Sequence, residues 1–591
     1  MVNGQPALVV DGRLTPAMAY TTYFTERNCY RAFAKAGYKI FFVNASFTSS
    51  PINSFVTGFT PFRVGVFEDM SKPDFSEFED SVREILSVCP DAMIFPRLHV
   101  SMPRWWCDEN PEETIDTKKG GRRELLFSKK FRSDGKELIR TFVNHAMSSD
   151  YAKSIAGWQI CGGQTQEWFF HDSYGGLSDN ALRYYKEYCF EKSGITDAKL
   201  PTKEDFVGDG RVNGNENARR YADFCNEGVA KSIDAFAGTV KELTGFKQIV
   251  GVFYGYATEA AYGGTLGGSN ALCYLLKRES VDFFSSPNAY TAGRPFGIDW
   301  ADMLPVDTVK LHGKLAFIEC DIRTYLTKAV QECRPGEYPD DIYRTDTGAS
   351  VWAGPPTPEL SRVALRKCFA HQLTKGSAIW WFDMWGGWYD DPLLMKELKD
   401  CYGIAEKTPR GAYPSAEVAL LADEKGYSRM AHGTELLSSI HKTRTSMGLV
   451  GAPYDTYLVD DIDSLIGRYK AFVFLSFVDS DEGERAKALL DKSGIPYLSP
   501  TPEHPSLTPE EIRALLSDSR VHFYSELGEV VYAGNGHVAL HSAKKGEKVI
   551  TLREKCKVKA LLGAELQEEV TDILKFGLEE NSTALFSIEK M

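Results

Sequence analysis

The sequence predicts an α/β protein: a (β/α)8 barrel, then a smaller α/β unit, then a C-terminal β-sandwich. Three observations carry this. Short apolar, β-rich runs alternate with longer helical patterns over residues 16–382, as in a parallel sheet or barrel. Eight such runs can be counted, the number that closes a barrel. After Pro409 the texture shifts to shorter alternations and finally to apolar–polar alternation. The expected units are residues 1–410, 413–525 and 526–591.

The first run, Pro16–Phe24, is followed by Thr25, which the pattern reads as the cap of a helix carrying Cys29, Tyr30, Phe33 and Ala36 on one face. Lys39–Val43 is a continuous apolar run suited to a strand covered on both faces. Helical spacing over Phe75–Val88 leads to a third strand, Ala92–Phe95, which runs into Pro96, Arg97, Leu98 and His99. A long polar segment, Ser101–Arg132, carries Trp105 and Trp106; loops of this length in a compact unit are usually functional. A helix over Gly135–Ala146 precedes the fourth strand, which begins at Gly157 and ends in glycines before Glu167. Helices over 178–194 and 215–244 lead to strands five (Gln248–Tyr254), six (Val281–Phe284) and seven (Lys314–Glu319). A helix over Leu360–Leu373 feeds the eighth, Ser377–Phe382. Beyond it, Glu417–Ala422, Ala471–Leu475 and Ile495–Leu498 read as strands of the second unit. The tail alternates from Val530 onward and reads as the sandwich.

Composition narrows the function. The chain has 591 residues, enough for several units, with 43% hydrophobic and 25% charged residues, as in ordinary globular proteins. A net charge of −13 argues against broad binding to nucleic acid or anionic membrane. No apolar run approaches a membrane span, and the first residues show no signal-peptide pattern, so a cytoplasmic protein is expected. Twelve cysteines stand singly with no Cys-x-x-Cys pair, so no structural zinc, other metal or cofactor is expected. No dinucleotide fingerprint follows any strand of the second unit.

In a barrel of this kind chemistry sits where strands end. Those places hold His99, Glu167, Tyr254, Glu319 and Asp383. Glu167 is followed by Trp168, Phe169 and Phe170, and poor solvation gives such a carboxyl reason to keep its proton near neutral pH. Glu319 ends the seventh strand, opposite the fourth across the mouth. Two carboxyls roughly 5–5.5 Å apart are what a retaining glycosidase needs, one as acid and then base, the other as nucleophile. Glu319 is expected to be the ionised nucleophile. Arg323 either folds back to hold its pKa low or pairs with Asp321. Glu259, after strand five, is the rival carboxylate.

The run Leu98–Trp106, then Asn110-Pro111-Glu112 and Gly120-Gly121-Arg122-Arg123, resembles the loop after strand three in glycoside hydrolase family 42 β-galactosidases. Gly157-Trp158-Gln159-Ile160 is similar to the start of that family's acid/base strand, and the layout matches along nearly the whole chain. The resemblance implies carbohydrate as the substrate and a homotrimer formed through the middle unit. Two departures stand out: the family's zinc cysteines are missing around Cys107, and its Asn-Glu is replaced by Gly162–Gln166 before Glu167. The Gly-x-Thr-x-Glu-Trp pattern also resembles glycoside hydrolase family 164, which implies β-mannosidase activity. Galactoside and mannoside stay level. Gln164 or Gln166 stands in for the missing Asn, and Trp106, Trp168, Tyr290, Trp381, Asp383 and Trp385 are further candidates for sugar contacts. Trp380 either stacks on sugar or packs between barrel and helix; Arg97 and His99 either bind hydroxyls or are satisfied in the core. The alternatives are a non-catalytic carbohydrate-binding protein on the same scaffold and a metal-dependent barrel hydrolase, for which no His-x-His spacing is present.

Overall fold

A computed structural model describes the chain apart from residues 54–56, 120, 208–211, 260–265, 291–293, 341–352, 409–410, 412 and 432–435. Gly120 of the loop motif and the expected boundary at 410 lie outside the described residues.

Eight parallel strands close into a barrel: β1 (Met18–Thr22), β2 (Ile40–Ser46), β3 (Met93–His99), β4 (Gly157–Cys161), β5 (Ile249–Phe253), β6 (Phe283–Pro287), β7 (Leu315–Cys320) and β8 (Ala378–Asp383). They follow each other in sequence order, and β8 returns to β1 with Ile379 opposite Met18. Each strand is followed by a helix: α1 (Tyr30–Lys35), α2 (Ser76–Val88), α3 (Lys129–Met147), α4 (Glu216–Leu243), α5 (Leu272–Leu276), α6 (Val306–Leu311), α7 (Pro358–Lys375) and α8 (Pro392–Lys407). The strands are buried on both faces because helices cover the outside and side chains fill the inside.

Alternation assigns the inward residues. Phe42, Phe95, Phe283 and Phe317 form one aromatic layer, with centroids 4.9 Å apart for Phe42–Phe95 and 5.7 Å for Phe283–Phe317. Gly251 on β5 is required here, since a Cβ would fall 2.0 Å from the Phe283 ring. This layer is the floor on which the polar layer above it rests.

Thr25 does not cap a helix. Residues Thr25–Arg27 form a 3-10 turn and α1 begins only at Tyr30, because the chain must first bring Tyr30 and Phe33 into the core. The predicted helix at 135 starts instead at Lys129, with Ser128 Oγ accepting from Phe131 N. The loop after β3 contains a helical turn (Arg104–Glu109) and a hairpin pairing Thr114–Asp116 with Arg122–Glu124.

Beyond the barrel, β9 (Val418–Ala422), β10 (Asp455–Leu458), β11 (Ala471–Phe474) and β12 (Tyr497–Leu498) form a parallel sheet in the order β10-β9-β11-β12. The tail forms β13 (Val530–Gly534), β14 (His537–Ser542), β15 (Gly546–Leu562), β16 (Glu569–Leu578) and β17 (Ser582–Lys590). These make one antiparallel sheet, β13-β14-β17-β15-β16, where two facing sheets were expected. A register shift between Thr551 and Cys556 lets the long β15 pair with both β16 and β17. Alternation along β14 sends Val538 and Leu540 into the tail's own core and Ala539 toward the barrel. There His371 of α7 stacks on Tyr532 at 4.4 Å. Asp299 joins all three parts, accepting hydrogen bonds from Tyr454 at 2.6 Å and Tyr532 at 2.8 Å. Among the described residues, no helix is long and apolar enough to cross a membrane.

Candidate active site

Among the described residues, the turn after β4 gathers three positive-φ residues other than glycine within four positions. Thr165, Gln166 and Trp168 all have positive φ, at 54°, 68° and 63°. Each costs about 1–2 kcal/mol for a residue with a Cβ. Short hydrogen bonds hold the turn shut: Trp168 N donates to Gly162 O at 2.7 Å and Gln164 N to Phe169 O at 2.8 Å. Gly163, at φ 66°, cannot carry a side chain, because its Cβ would lie 2.6 Å from Phe169 O. Trp168 is the anchor, fully buried, stacked on Phe236 of α4 and donating from Nε1 to Ile160 O at 3.3 Å. The turn thereby leaves Glu167 half-buried at the mouth, where Tyr256 donates to its Oε1 at 2.6 Å. Burial pushes the Glu167 carboxyl up to about 7, with the nearby Asp321 charge adding to the rise and Thr165, Tyr256 and Arg97 opposing it.

Glu319 points inward from β7 and is 2% exposed. Its Oε2 has no hydrogen-bond partner among the described residues. Of the two expectations for Arg323 the structure shows the second, though buried: its guanidinium pairs with Asp321 and also donates to the Asp321 carbonyl at 2.6 Å. Asp321 is gripped from the other side by Arg294 at 2.5 Å and receives the Tyr290 hydroxyl at 2.9 Å. The two guanidiniums hold the Asp321 carboxyl below its usual range despite burial. With Arg323 engaged there, Glu319 is not depressed. Burial first, then the charges of Asp321 and Glu167, push it well above the ordinary carboxyl range, against the pull of Arg97 and Arg323. The buried Asp321 charge thus raises both carboxyls, and the charge of Glu167 adds to the rise of Glu319.

Beneath the pair lies a buried polar layer. Arg97 donates from Nε to Gln159 Oε1 at 2.8 Å and from Nη1 to Asn44 Oδ1 at 3.3 Å, while Gln159 Nε2 reaches Ser285 Oγ at 3.0 Å. Its guanidinium lies 4.4 Å from the centroid of Trp380, which points into the barrel. Among the described residues Arg97 Nη2 has no hydrogen-bond partner in good geometry. His99 shares Asn44 Oδ1 at 3.1 Å and is kept neutral by burial and by Arg97. Tyr23, just past β1, packs edge-on against Phe382 at 4.8 Å and senses Arg97, Glu319 and Glu167. A buried guanidinium nitrogen and a buried carboxylate oxygen, both without partners, are what a polar ligand would satisfy.

The structure brings together Arg97, His99, Glu167, Tyr290, Glu319 and Arg323. Others face elsewhere. Trp381 alternates outward and donates from Nε1 to Tyr38 OH at 3.0 Å, behind β8. Asp383 also points outward, accepting from Tyr20 OH at 2.9 Å and from the backbone of Gly387 and Trp388. Trp106 is tied to Asp134 of α3 at 2.7 Å, and Trp168 serves the turn. Gln164 lies in the buried limb of the turn, whereas Gln166 reaches Ser101 Oγ at 3.4 Å beside His99. Trp385 remains at the mouth, 5.2 Å from Phe24 and 6.4 Å from Tyr23. Glu259 pairs with Arg444 at 2.5 Å and so belongs to the contact with the second unit. Tyr254 bonds Gly268 O at 3.0 Å outside the barrel. Sequence reasoning missed Tyr23, Asn44, Tyr256 and Arg294, and gave Asp321 only as a partner for Arg323. Asp321 was legible, since it lies two residues beyond Glu319 on the same strand face.

No protein-family model matches the chain, and no curated protein is similar to it in sequence. Solved structures do match its fold. The β-galactosidase of Bacillus circulans sp. alkalophilus is 11% identical, with 97% of this chain and 99% of that chain covered and a TM-score of 0.62. The cold-adapted β-galactosidase of Rahnella sp. R3 is 10% identical, with 99% and 100% covered and a TM-score of 0.63. The family 42 exo-carrageenase of Bacteroides ovatus is 10% identical, with 100% and 85% covered and a TM-score of 0.58. At such identities the likeness is one of fold: along its whole length the chain is built like the glycoside hydrolase family 42 enzymes.

Proposed function

We propose that the protein is a retaining exo-β-glycosidase that removes terminal β-galactosyl or β-mannosyl residues by double displacement. The observation that carries this reading is the pair Glu167 and Glu319, which follow strands β4 and β7 at the barrel mouth and both sit within reach of the Asp321 charge. In the first half-reaction Glu167 gives its proton to the glycosidic oxygen as the C1–O bond breaks, and the Glu319 carboxylate forms an ester bond to C1. In the second, the Glu167 carboxylate takes a proton from water, whose oxygen bonds C1 as the ester bond breaks. Arg97, whose charge lowers the Glu319 carboxyl against the rise from burial, supports the anion on Glu319.

The fold likeness favours galactoside, while the altered turn before Glu167 favours mannoside, whose 2-hydroxyl is axial. A panel of p-nitrophenyl β-glycosides decides between them. Glu319→Gln is expected to abolish turnover. Glu167→Gln is expected to keep substrates with good leaving groups and lose those with sugar leaving groups by about 10²–10⁴-fold. Equal loss for both leaving groups would count against Glu167 as acid, and sugar binding without turnover in the wild type would point to a binding protein. The same reading carries a homotrimer, tested by light scattering, and a reduced cytoplasmic setting in keeping with twelve free thiols.

A further inference from the structure

Tyr256 stands three residues beyond the end of β5, where strand alternation alone would not direct a side chain to the mouth. Gly255, at φ 106°, makes the turn that sends Tyr254 out of the barrel and Tyr256 in. The Tyr256 ring is fully buried in an apolar slot with Phe169, 4.8 Å away, and Met303. Its hydroxyl donates to Oε1 of Glu167 at 2.6 Å. Burial and the neighbouring carboxylates push this phenol well above its usual range, so it remains a donor wherever an enzyme would work.

We propose that Tyr256 is a positioning residue that engages Oε1 of Glu167 and thereby dedicates Oε2 to proton transfer in both half-reactions. The inference deepens the glycosidase reading and rests on it. A carboxyl at the mouth of a barrel can otherwise rotate about its Cγ–Cδ bond and offer either oxygen. With Oε1 accepting from a fixed phenol, the acid proton sits on Oε2, and the carboxylate left after its departure keeps the same orientation for the water step. The phenol also tunes the group. Its hydrogen bond, with the larger pull of Thr165, favours the carboxylate and opposes the rise that burial imposes, which suits a residue that must act as acid and then as base. The other charged and titratable groups around Glu167 are Arg97 from β3, Glu319 and Asp321 from the β7 end, and Tyr23 after β1.

The test compares the wild type with Tyr256→Phe and with 3,5-difluorotyrosine introduced at position 256, a stronger donor of the same shape. The readouts are the pH profile of kcat/KM, the leaving-group dependence of kcat, and a ¹³C carboxyl titration of Glu167 assigned by its loss in Glu167→Gln. In Tyr256→Phe the basic limb and the carboxyl midpoint should rise by about one unit, and in the fluorinated protein both should fall. Turnover with a poor leaving group should drop roughly tenfold in Tyr256→Phe, with dinitrophenyl glycosides changed less than about twofold. An unmoved Glu167 midpoint, or equal loss for both leaving groups, would overturn the assignment. If the wild type cleaves no glycoside, the glycosidase reading fails, and the carboxyl titration still reports whether Tyr256 controls Glu167.

Discussion

Glu167→Gln should make the protein more stable, and increasingly so as pH rises. In the folded chain the Glu167 carboxyl titrates at about 7 in place of its ordinary 4.5, so folding binds its proton more tightly than the unfolded chain does. A carboxyl shifted upward stabilises the fold below its unfolded pKa relative to higher pH, and the difference is lost between pH 4.5 and 7 as the buried charge forms. Above 7 the penalty for burying that charge is about 3 kcal/mol, at about 1.4 kcal/mol per unit; at pH 5 it is about 1 kcal/mol. Glutamine keeps the shape and the acceptor for Tyr256 but cannot ionise, so it escapes the penalty. Urea unfolding followed by tryptophan fluorescence at pH 5 and pH 8 reads the difference. The variant's advantage should grow by about 2 kcal/mol between the two. An advantage that stays flat or shrinks with pH would refute the claim that burial raises this carboxyl, and with it the argument that Glu167 reaches neutral pH as an acid.

Two further outcomes follow from packing. Gly163→Ala puts a Cβ 2.6 Å from Phe169 O at a φ of 66°, so the turn must shift, with a stability loss of about 1–2 kcal/mol or more and a fall in kcat measured on aryl glycosides. Trp381→Phe loses the hydrogen bond to Tyr38 behind β8 and should lower the unfolding free energy read by urea by about 1–2 kcal/mol while leaving KM unchanged. A large rise in KM there would mean that Trp381 contacts substrate after all.

The barrel was legible because its strands are long apolar runs with nothing else to be. Ile40–Val43 and Val250–Phe253 are buried on both faces, and no amphipathic helix offers that pattern. Helices α5 and α6, five and six residues long, were not legible, since one turn and a half shows no period. The strand Asp455–Leu458 was missed for the same reason of length. The tail misled differently. Alternation is the same whether a strand faces a second sheet or a helix, so Ala539 and Val538 gave no hint that one side packs on α7 and the other on a bent continuation of the same sheet.

At the site, counting from strand ends located the two carboxylates but misjudged which neighbours serve them. Trp381 and Asp383 sit at the end of β8, yet the period of two that points Trp380 and Phe382 inward sends both of them out. Spacing left Arg323 a choice between Glu319 and Asp321, and it pairs with Asp321, which Arg294 and Tyr290 also grip. That grip changes what the arginines do. With Arg294 and Arg323 both engaged by Asp321, Arg97 is the cation left among the described residues to face the coupled carboxyls from the barrel interior. Its position above Trp380 is fixed by three strands, through Asn44, Gln159 and its own place on β3. The charge that faces Glu319 is thus built into the barrel wall, while Glu167 is held at the mouth by a turn and by a phenol that favours its carboxylate.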